Sequence, residues 1–405
     1  MAEVPKDTAP ATDPETSRRR RSLRFIILMG LVSLLADVTY EGARSITGPF
    51  LGLLGAKAAW IGIVAGAGEL VGYGLRFVFG YLSDRTGRYW AIAILGYTVN
   101  LLAVPALALC DRWDLAAALI VAERLGKAVR TPARDAMLSH ATGEVGRGWG
   151  FGLHEALDQT GAVLGPLLMG LVLFIKGDYR LAFALLAIPA VAAIALVLLA
   201  RLLYRSPRDM ERSPAREKGP FPRAFWFYLP AVGLIAAGYI DYPLIAYHFG
   251  TGRDVAPRWI PLFYALAMAA DAVAALVFGR LFDKKGLGIL ALSVVTSSLF
   301  APLVMLGGFW AAALGMTLWG IGMGAQESIM RAAVADMAPL ERRGTAYGIF
   351  NGVYGLCWFA GSAAMGYLYD FSPLAAASLS LALQLCSLPW LMAVGRVSRR
   401  GFKRR

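Results

Sequence analysis

Charge is scarce in this chain, and its scarcity excludes the most. Only 17% of the 405 residues are Asp, Glu, Lys or Arg, where an ordinary water-soluble domain carries roughly 25%, so a soluble globule is ruled out. Cysteine is rarer still. Cys110, Cys357 and Cys386 stand far apart with no C-x-x-C spacing, which leaves no disulfide framework and no thiolate metal knuckle, and they read as packing residues. Three histidines in all argue against a soft-metal site, although carboxylates suit a harder divalent ion. There is no G-x-S-x-G elbow, no H-E-x-x-H pair and no Walker A loop. An enzyme and an ATP-driven pump therefore find no support, and no cofactor or metal is called for. The glycines between Gly66 and Gly74 lie inside an apolar run, where helical spacing means close packing and not phosphate binding.

What the chain does have is apolar sequence, 58% of its residues. It falls into twelve segments, 24–50, 58–82, 89–110, 115–139, 149–175, 180–204, 224–249, 258–282, 287–306, 309–337, 344–369 and 374–395, each near the length of about twenty residues that a bilayer core requires. This pattern predicts an all-α membrane protein with twelve transmembrane helices. Forty Lys and Arg against 27 Asp and Glu give a net charge of +13. In a soluble protein that balance would point to nucleic acid, but no extended basic domain exists here. With the N-terminus inside, most basic residues fall on the inner side: Arg18 to Arg21, Arg85, Arg88, Arg147, the 201–223 stretch, Lys284, Lys285, Arg342, Arg343 and the tail from Arg396. Outer loops hold Lys57, Arg112, Lys176, Arg180, Arg253 and Arg258. The asymmetry predicts a multi-pass protein of the cytoplasmic (inner) membrane, both termini cytoplasmic, its basic edges against anionic lipid and no nucleic acid as partner.

Residues 1–23, rich in Pro, Thr and charge without the order of a signal peptide, read as a disordered basic cytoplasmic tail, and 396–405 as a second one. The longest polar interruption, 205–223, has four prolines and no apolar period. It reads as a cytoplasmic linker between an N-terminal six-helix bundle, 24–204, and a C-terminal one, 224–395. The halves repeat weakly: Gly80 to Gly87 (GYLSDRTG) aligns with Gly279 to Gly286 (GRLFDKKG), and Arg147 to Gly165 with Arg343 to Gly361. Repeats of this kind place a substrate path at the interface of the halves, near the bilayer midplane.

On these residues the sequence resembles the major facilitator superfamily of secondary transporters, over about 24 to 395. Gly80, Asp84, Arg85, Gly87 and Arg88 match its G-x-x-x-D-R-x-G-R signature, and Gly279, Asp283, Lys284 and Gly286 form a degenerate copy in the second half. The loop's physics is readable independently: Gly87 permits a tight turn, Gly80 a close helix approach, and Asp84 accepts hydrogen bonds from a neighbouring helix N-terminus or a basic side chain. The resemblance implies a cytoplasmic latch that stabilises the outward-open state, with Arg85 and Arg88 completing its charge network. Gly161, Gly165, Pro166 and Gly170 on the fifth span look like the G-x-x-x-G-P motif associated with exporters, and read equally as a generic small-residue packing face. Gly126 to Met137 with Arg147 to Pro166 looks like a bacterial efflux-type subgroup. The resemblance implies a major-facilitator fold of two pseudo-symmetric six-helix bundles, working as a monomer.

Ionisable residues inside the spans cost about 2.5 to 3.5 kcal/mol each at a helix centre if they face lipid, so they must pair or line a cavity. Asp37, Glu41 and Arg44 share one helical stripe with Tyr40 alongside; Glu69 and Arg76 share another. The fourth span carries Glu123, Arg124, Lys127, Arg130, Arg134 and Asp135, and the fifth His154, Glu155 and Asp158. Charges thin out in the second half to Asp241, His248, Asp271, Glu327 and Arg331, with Asp336 near the inner end. Basic residues of the fourth span are expected to meet acids of the first, second and fifth. Asp37, Glu41, Glu155 and Asp158 lead as titrating groups, Arg124 or Arg130 as the relay cation, while Arg134, Asp135 and Arg147 read as fixed gate pairs. Tyr40, Tyr73, Trp149, Tyr239, Tyr242 and Trp358 are candidates for the cavity wall or for plain packing.

The expected function is a secondary active transporter that moves a small solute by alternating access, as proton-coupled export by antiport. Protons, the solute and membrane lipid are its partners. The alternatives are a proton-coupled importer of a small charged solute and a non-transporting membrane sensor or scaffold. An organic anion held by Lys127 and Arg130, a cation held by Asp37 and Glu41, and a zwitterion all suit the charge pattern.

Overall fold

The computed structural model describes residues 14–145, 147–204, 221–252, 255–338 and 343–402. They form twelve helical spans, and within each half consecutive spans follow one another through short connections. We name them α1 (Pro14–Leu53), α2 (Ala58–Thr86), α3 (Tyr89–Ala106), α4 (Trp113–Val145), α5 (Arg147–Lys176), α6 (Tyr179–Leu203), α7 (Arg223–Thr251), α8 (Ile260–Lys285), α9 (Gly288–Leu306), α10 (309–337), α11 (Arg343–Phe371) and α12 (373–402). Among the described residues nine spans are long and apolar enough to cross a membrane by composition alone. The three that fall short are α4, α10 and α11, and α4 fails because it holds the densest run of charge. Large apolar side chains such as Ile188, Leu276 and Leu314 are exposed on the outer surface, as expected where hydrocarbon is the solvent.

Two sequence expectations shift at the ends. α1 starts at Pro14, so Arg18 to Arg21, expected in a disordered tail of 1–23, continue the helix beyond the apolar span. Proline at the first helical turn, followed by good helix formers and no further breaker, accounts for the extension. α12 likewise runs on to Phe402, into the tail expected at 396–405. Most of the 205–223 linker lies outside the described residues.

The internal repeat has a packing meaning. A Cβ on Gly165 would stand 2.6 Å from Val38 O and 2.8 Å from Gly42 N, so α5 lies directly against α1. Gly361, its repeat partner, stands in the same relation to Ala237 O, pressing α11 onto α7. Gly80 of α2 faces Pro132 of α4, and its counterpart Gly279 of α8 faces Ser328 of α10. The Gly165 and Gly361 pair repeats one close approach in both halves, because only a missing side chain lets two backbones come that near. At Gly80 and Gly279 a Cβ would stand 3.5 and 3.9 Å from side-chain atoms, so the close approach expected of Gly80 is not made here.

Two helix irregularities of the second half lie within the spans α7 and α10. α7 breaks at Tyr239 to Asp241, where the Asp241 carboxylate caps the resumed helix by accepting from Tyr242 N, with Pro243 in its first turn. Freed backbone groups are reused: Trp319 Nε1 donates to Ile240 O at 3.0 Å, and Tyr239 Oη donates to Trp319 O. α10 contains a π-helical turn at Gln326–Met330, a feature common at functional sites.

Candidate functional site

The two bundles meet along α1 with α7, α2 with α11 and α5 with α8. We call the face where α1 begins the near face and the opposite one the far face. At the far face the bundles are in contact: Gly48 lies under Pro243 O, Gly52 under the Tyr247 ring, and the Asp370 carboxylate accepts from Ala58 N and Ala59 N at 3.1 Å each. Toward the near face α2 and α11 stay in contact, a Cβ on Gly348 standing 3.1 Å from the Phe77 ring, while a cavity of about 190 Å³ lies between the bundles. Glu155, Glu327 and Arg331 at its mouth are exposed, whereas Asp37, Glu41, Glu69 and Asp271 deeper in are buried.

The stripe on α1 supplies the floor. Glu41 accepts from Tyr264 Oη of the second half at 2.6 Å and lies 3.7 Å from Lys127 Nζ. Lys127 Nζ also stands 4.0 Å from the centre of the Tyr40 ring, a cation–π arrangement that disperses its charge without titrating anything. One turn on, Arg44 donates to Glu69 at 3.1 Å and to Asp241 of the second half at 2.7 Å. Arg124 lies 3.5 Å from Glu69 and 3.3 Å from Glu123, and Asn100 Nδ2 donates to Glu123 Oε1 at 2.7 Å. The result is a buried chain of alternating charge, Asp241, Arg44, Glu69, Arg124, Glu123, closed by an amide. Such a network is stable only while each member keeps its partners.

Nearer the mouth, Arg134 donates to Asp135 at 2.9 Å and to Ser33 Oγ at 3.2 Å, and lies 3.9 Å from Asp158. His154 Nε2 shares the Ser33 hydroxyl at 2.9 Å. Asp37 Oδ1 and Asp271 Oδ1 are buried with no hydrogen-bond partner among the described residues. The second-half wall is otherwise aromatic and soft, with Tyr264, Trp319, Trp358, Met268 and Met323.

Of the residues expected from the sequence, Asp37, Tyr40, Glu41, Arg44, Glu69, Arg124, Lys127, Glu155, Asp158, Asp271, Glu327 and Arg331 line this cavity, with Tyr73 and Trp358 among the aromatics. Arg130 does not: it is 1% exposed, with its guanidinium 4.5 Å from the Tyr97 ring centre and 5.5 Å from that of Tyr40. α3 covers that part of α4, a Cβ on Gly96 standing 2.5 Å from Arg130 N, and keeps Arg130 out of the cavity. Asp241 lies beside a smaller void of about 30 Å³ on the far side of Arg44. Tyr239 and Tyr242 are packed behind the wall and bond backbone carbonyls. The side chains of Trp149, Arg147 and Asp336 lie outside the described residues. Arg134 and Asp135, read as gate residues, line the cavity as well.

Tyr264, Trp319, Met268 and Met323 were not legible. Neutral residues in an apolar helix raise no charge signal, and only the fold brings them opposite the charged wall.

In the near-face loop, Gly87 (φ 66°) and its counterpart Gly286 (φ 67°) both occupy the left-handed region that ends their helices. Arg85 donates to Tyr81 Oη of its own helix at 3.5 Å, and Arg88 and Lys284 are exposed. The side chains of Asp84 and Asp283 lie outside the described residues. Gly161 and Gly165 seat α5 on α1, while Gly170 faces Leu262 of the second half. The glycine motif thus serves packing both within a bundle and between bundles, around Pro166 inside α5.

Two six-helix bundles enclosing a charged cavity are the architecture of a secondary transporter. The family model of the Major Facilitator Superfamily matches residues 31–362. An uncharacterized protein of Mycobacterium tuberculosis is 40% identical over 379 residues, covering 92% of this chain and 93% of the relative. An uncharacterized MFS-type transporter of Methanocaldococcus jannaschii is 27% identical over 376 residues, 87% and 90% of the two chains. A solved peptide transporter in complex with sulfate shares the fold, with TM-score 0.73 at 15% identity over 93% of this chain and 94% of that one. The chain belongs to the major facilitator superfamily. It is a multi-pass membrane transporter and not an enzyme.

Proposed function

We propose that this protein exports a small charged solute in exchange for protons. In this reading it resides as a monomer in the cytoplasmic membrane, with the near face and both basic ends cytoplasmic and 205–223 linking two six-helix halves. The conformation described above is then inward-open, and the loop of Gly80, Asp84, Arg85, Gly87 and Arg88, with its second-half copy, closes the near face in the opposite state.

One observation carries the proposal. Glu41 is at once ion-paired at 3.7 Å with a base of its own half, Lys127, and accepts a hydrogen bond from a hydroxyl of the other half, Tyr264. Adding a proton to such a carboxyl removes its attraction for the lysine and changes the contact that spans the halves, so proton binding and bundle closure become linked equilibria. Asp37, one turn before it and without a partner for Oδ1, is the second proton-binding group. The mixed acid and base wall suits a small ionic or zwitterionic cargo, with the aromatic second-half wall taking its apolar part.

The test is flux in sealed vesicles. With an imposed pH gradient, Glu41→Gln and Asp37→Asn are each expected to abolish gradient-driven transport while the purified protein keeps wild-type helicity and thermal unfolding. Undiminished coupling in both variants refutes the assignment. Screening solutes for thermal stabilisation identifies the cargo, since a ligand that binds the native state raises its stability by mass action.

A further inference from the structure

The latch signature of α2 has a counterpart at the far end of α11. Gly80-Tyr81-Leu82-Ser83-Asp84 is matched by Gly366-Tyr367-Leu368-Tyr369-Asp370, four of the five residues identical and both closing a long helix. The first copy sits at the near face and the second at the far face, because α2 and α11 each begin on the face where the other ends. The spacing has a mechanical sense: a glycine lets the helix press against its neighbour, and one turn later an aspartate on the same stripe reaches that neighbour's terminus.

At the far face this geometry is complete. A Cβ on Gly366 would stand 2.7 Å from Ala58 O and 3.0 Å from Gly62 Cα, so α11 lies against the first turn of α2. Asp370 then places Oδ1 3.1 Å from Ala58 N and Oδ2 3.1 Å from Ala59 N. Those are the first two N–H groups of α2, which have no partner within their own helix, and they form the positive end of its dipole. Lys57, the residue at the cap position, makes no side-chain capping bond. The cap for α2 is thus supplied from the other half of the protein. Beside it, Tyr369 Oη lies 2.7 Å from His248 Nδ1 of α7.

We infer that Asp370 is the far-face latch: it positions the halves by capping α2 in the inward-open state, and the bond must break for the far face to open. The inference rests on the alternating-access reading but not on protons or cargo. Losing an N-cap shifts a helix-terminal equilibrium by roughly two- to thirtyfold. Because this cap exists in one state only, its loss shifts the ratio of states by that factor.

The test is a distance distribution between spin labels at Leu109 and Trp310, both 82% exposed and on far-face segments of opposite halves, in full-length protein with the three native cysteines replaced and reconstituted in lipid. Asp370→Ala is expected to enlarge the long-distance population several-fold, with Asp370→Asn intermediate. Superimposable distributions for wild type and Asp370→Ala, or for Asp370→Asn should the alanine variant not fold, overturn the latch. Vesicle flux separates the two readings: a distance shift without any flux keeps the latch and removes the transporter proposal, whereas flux with unchanged distances does the reverse.

Discussion

Arg44 and Asp241 are 197 positions apart and meet at 2.7 Å across the boundary between the halves. The aspartate is held at the break of α7, where its Oδ1 also accepts from Tyr242 N and its Oδ2 lies 3.3 Å from Trp358 Nε1. Arg44 in turn bonds Glu69. This ion pair and its immediate partners therefore tie four helices, α1, α2, α7 and α11, and one of them by the group that caps it.

Removing one partner of a buried pair costs about 3 to 5 kcal/mol, since the remaining charge is stranded, while removing both costs less. Arg44→Met and Asp241→Leu are each expected to lower the thermal midpoint in detergent strongly, and the double variant by clearly less than their sum. Strict additivity would show that the two side chains do not interact.

The packing glycines make a second prediction. Gly165→Val and Gly361→Val each drive a side chain into the backbone of a neighbouring helix, and both are expected to lower folded yield and thermal midpoint severely. Gly72 and Gly74 of α2 have open space where a Cβ would go, so alanine there is expected to be neutral or slightly stabilising. Equal tolerance at all four sites contradicts the repeat-related packing.

Arg130 offers a third. Its planar guanidinium is buried between Tyr97 and Tyr40, with Nε and Nη1 unbonded among the described residues. Methionine keeps much of the side-chain volume but removes the cation from both rings. Arg130→Met is expected to cost about 1 to 2 kcal/mol of stability, the scale of a desolvated cation–π contact, measured as a lowered thermal midpoint without loss of solute binding. A loss of binding at unchanged stability would place Arg130 in the transport path after all.

Much of this is legible in the sequence. Long apolar runs can only be satisfied by helices crossing a bilayer, so length and hydropathy set the number of spans. The need to pair charge in hydrocarbon told which faces of α1, α2, α4 and α5 look inward, because the 3.6-residue period is a property of each helix alone. The near-face glycines could be read too, their left-handed turns being a local backbone requirement. What the sequence by itself could not determine is partnership. Glu41 chose Tyr264, Arg44 chose Asp241, and Arg130 turned away from the cavity to two tyrosines, all by distances between helices that share no local pattern. The far-face cap on α2 belongs to the same class. Asp370 acts more than three hundred residues from its target, and only the packing of α11 on α2 brings a carboxylate to backbone groups that every helix leaves open.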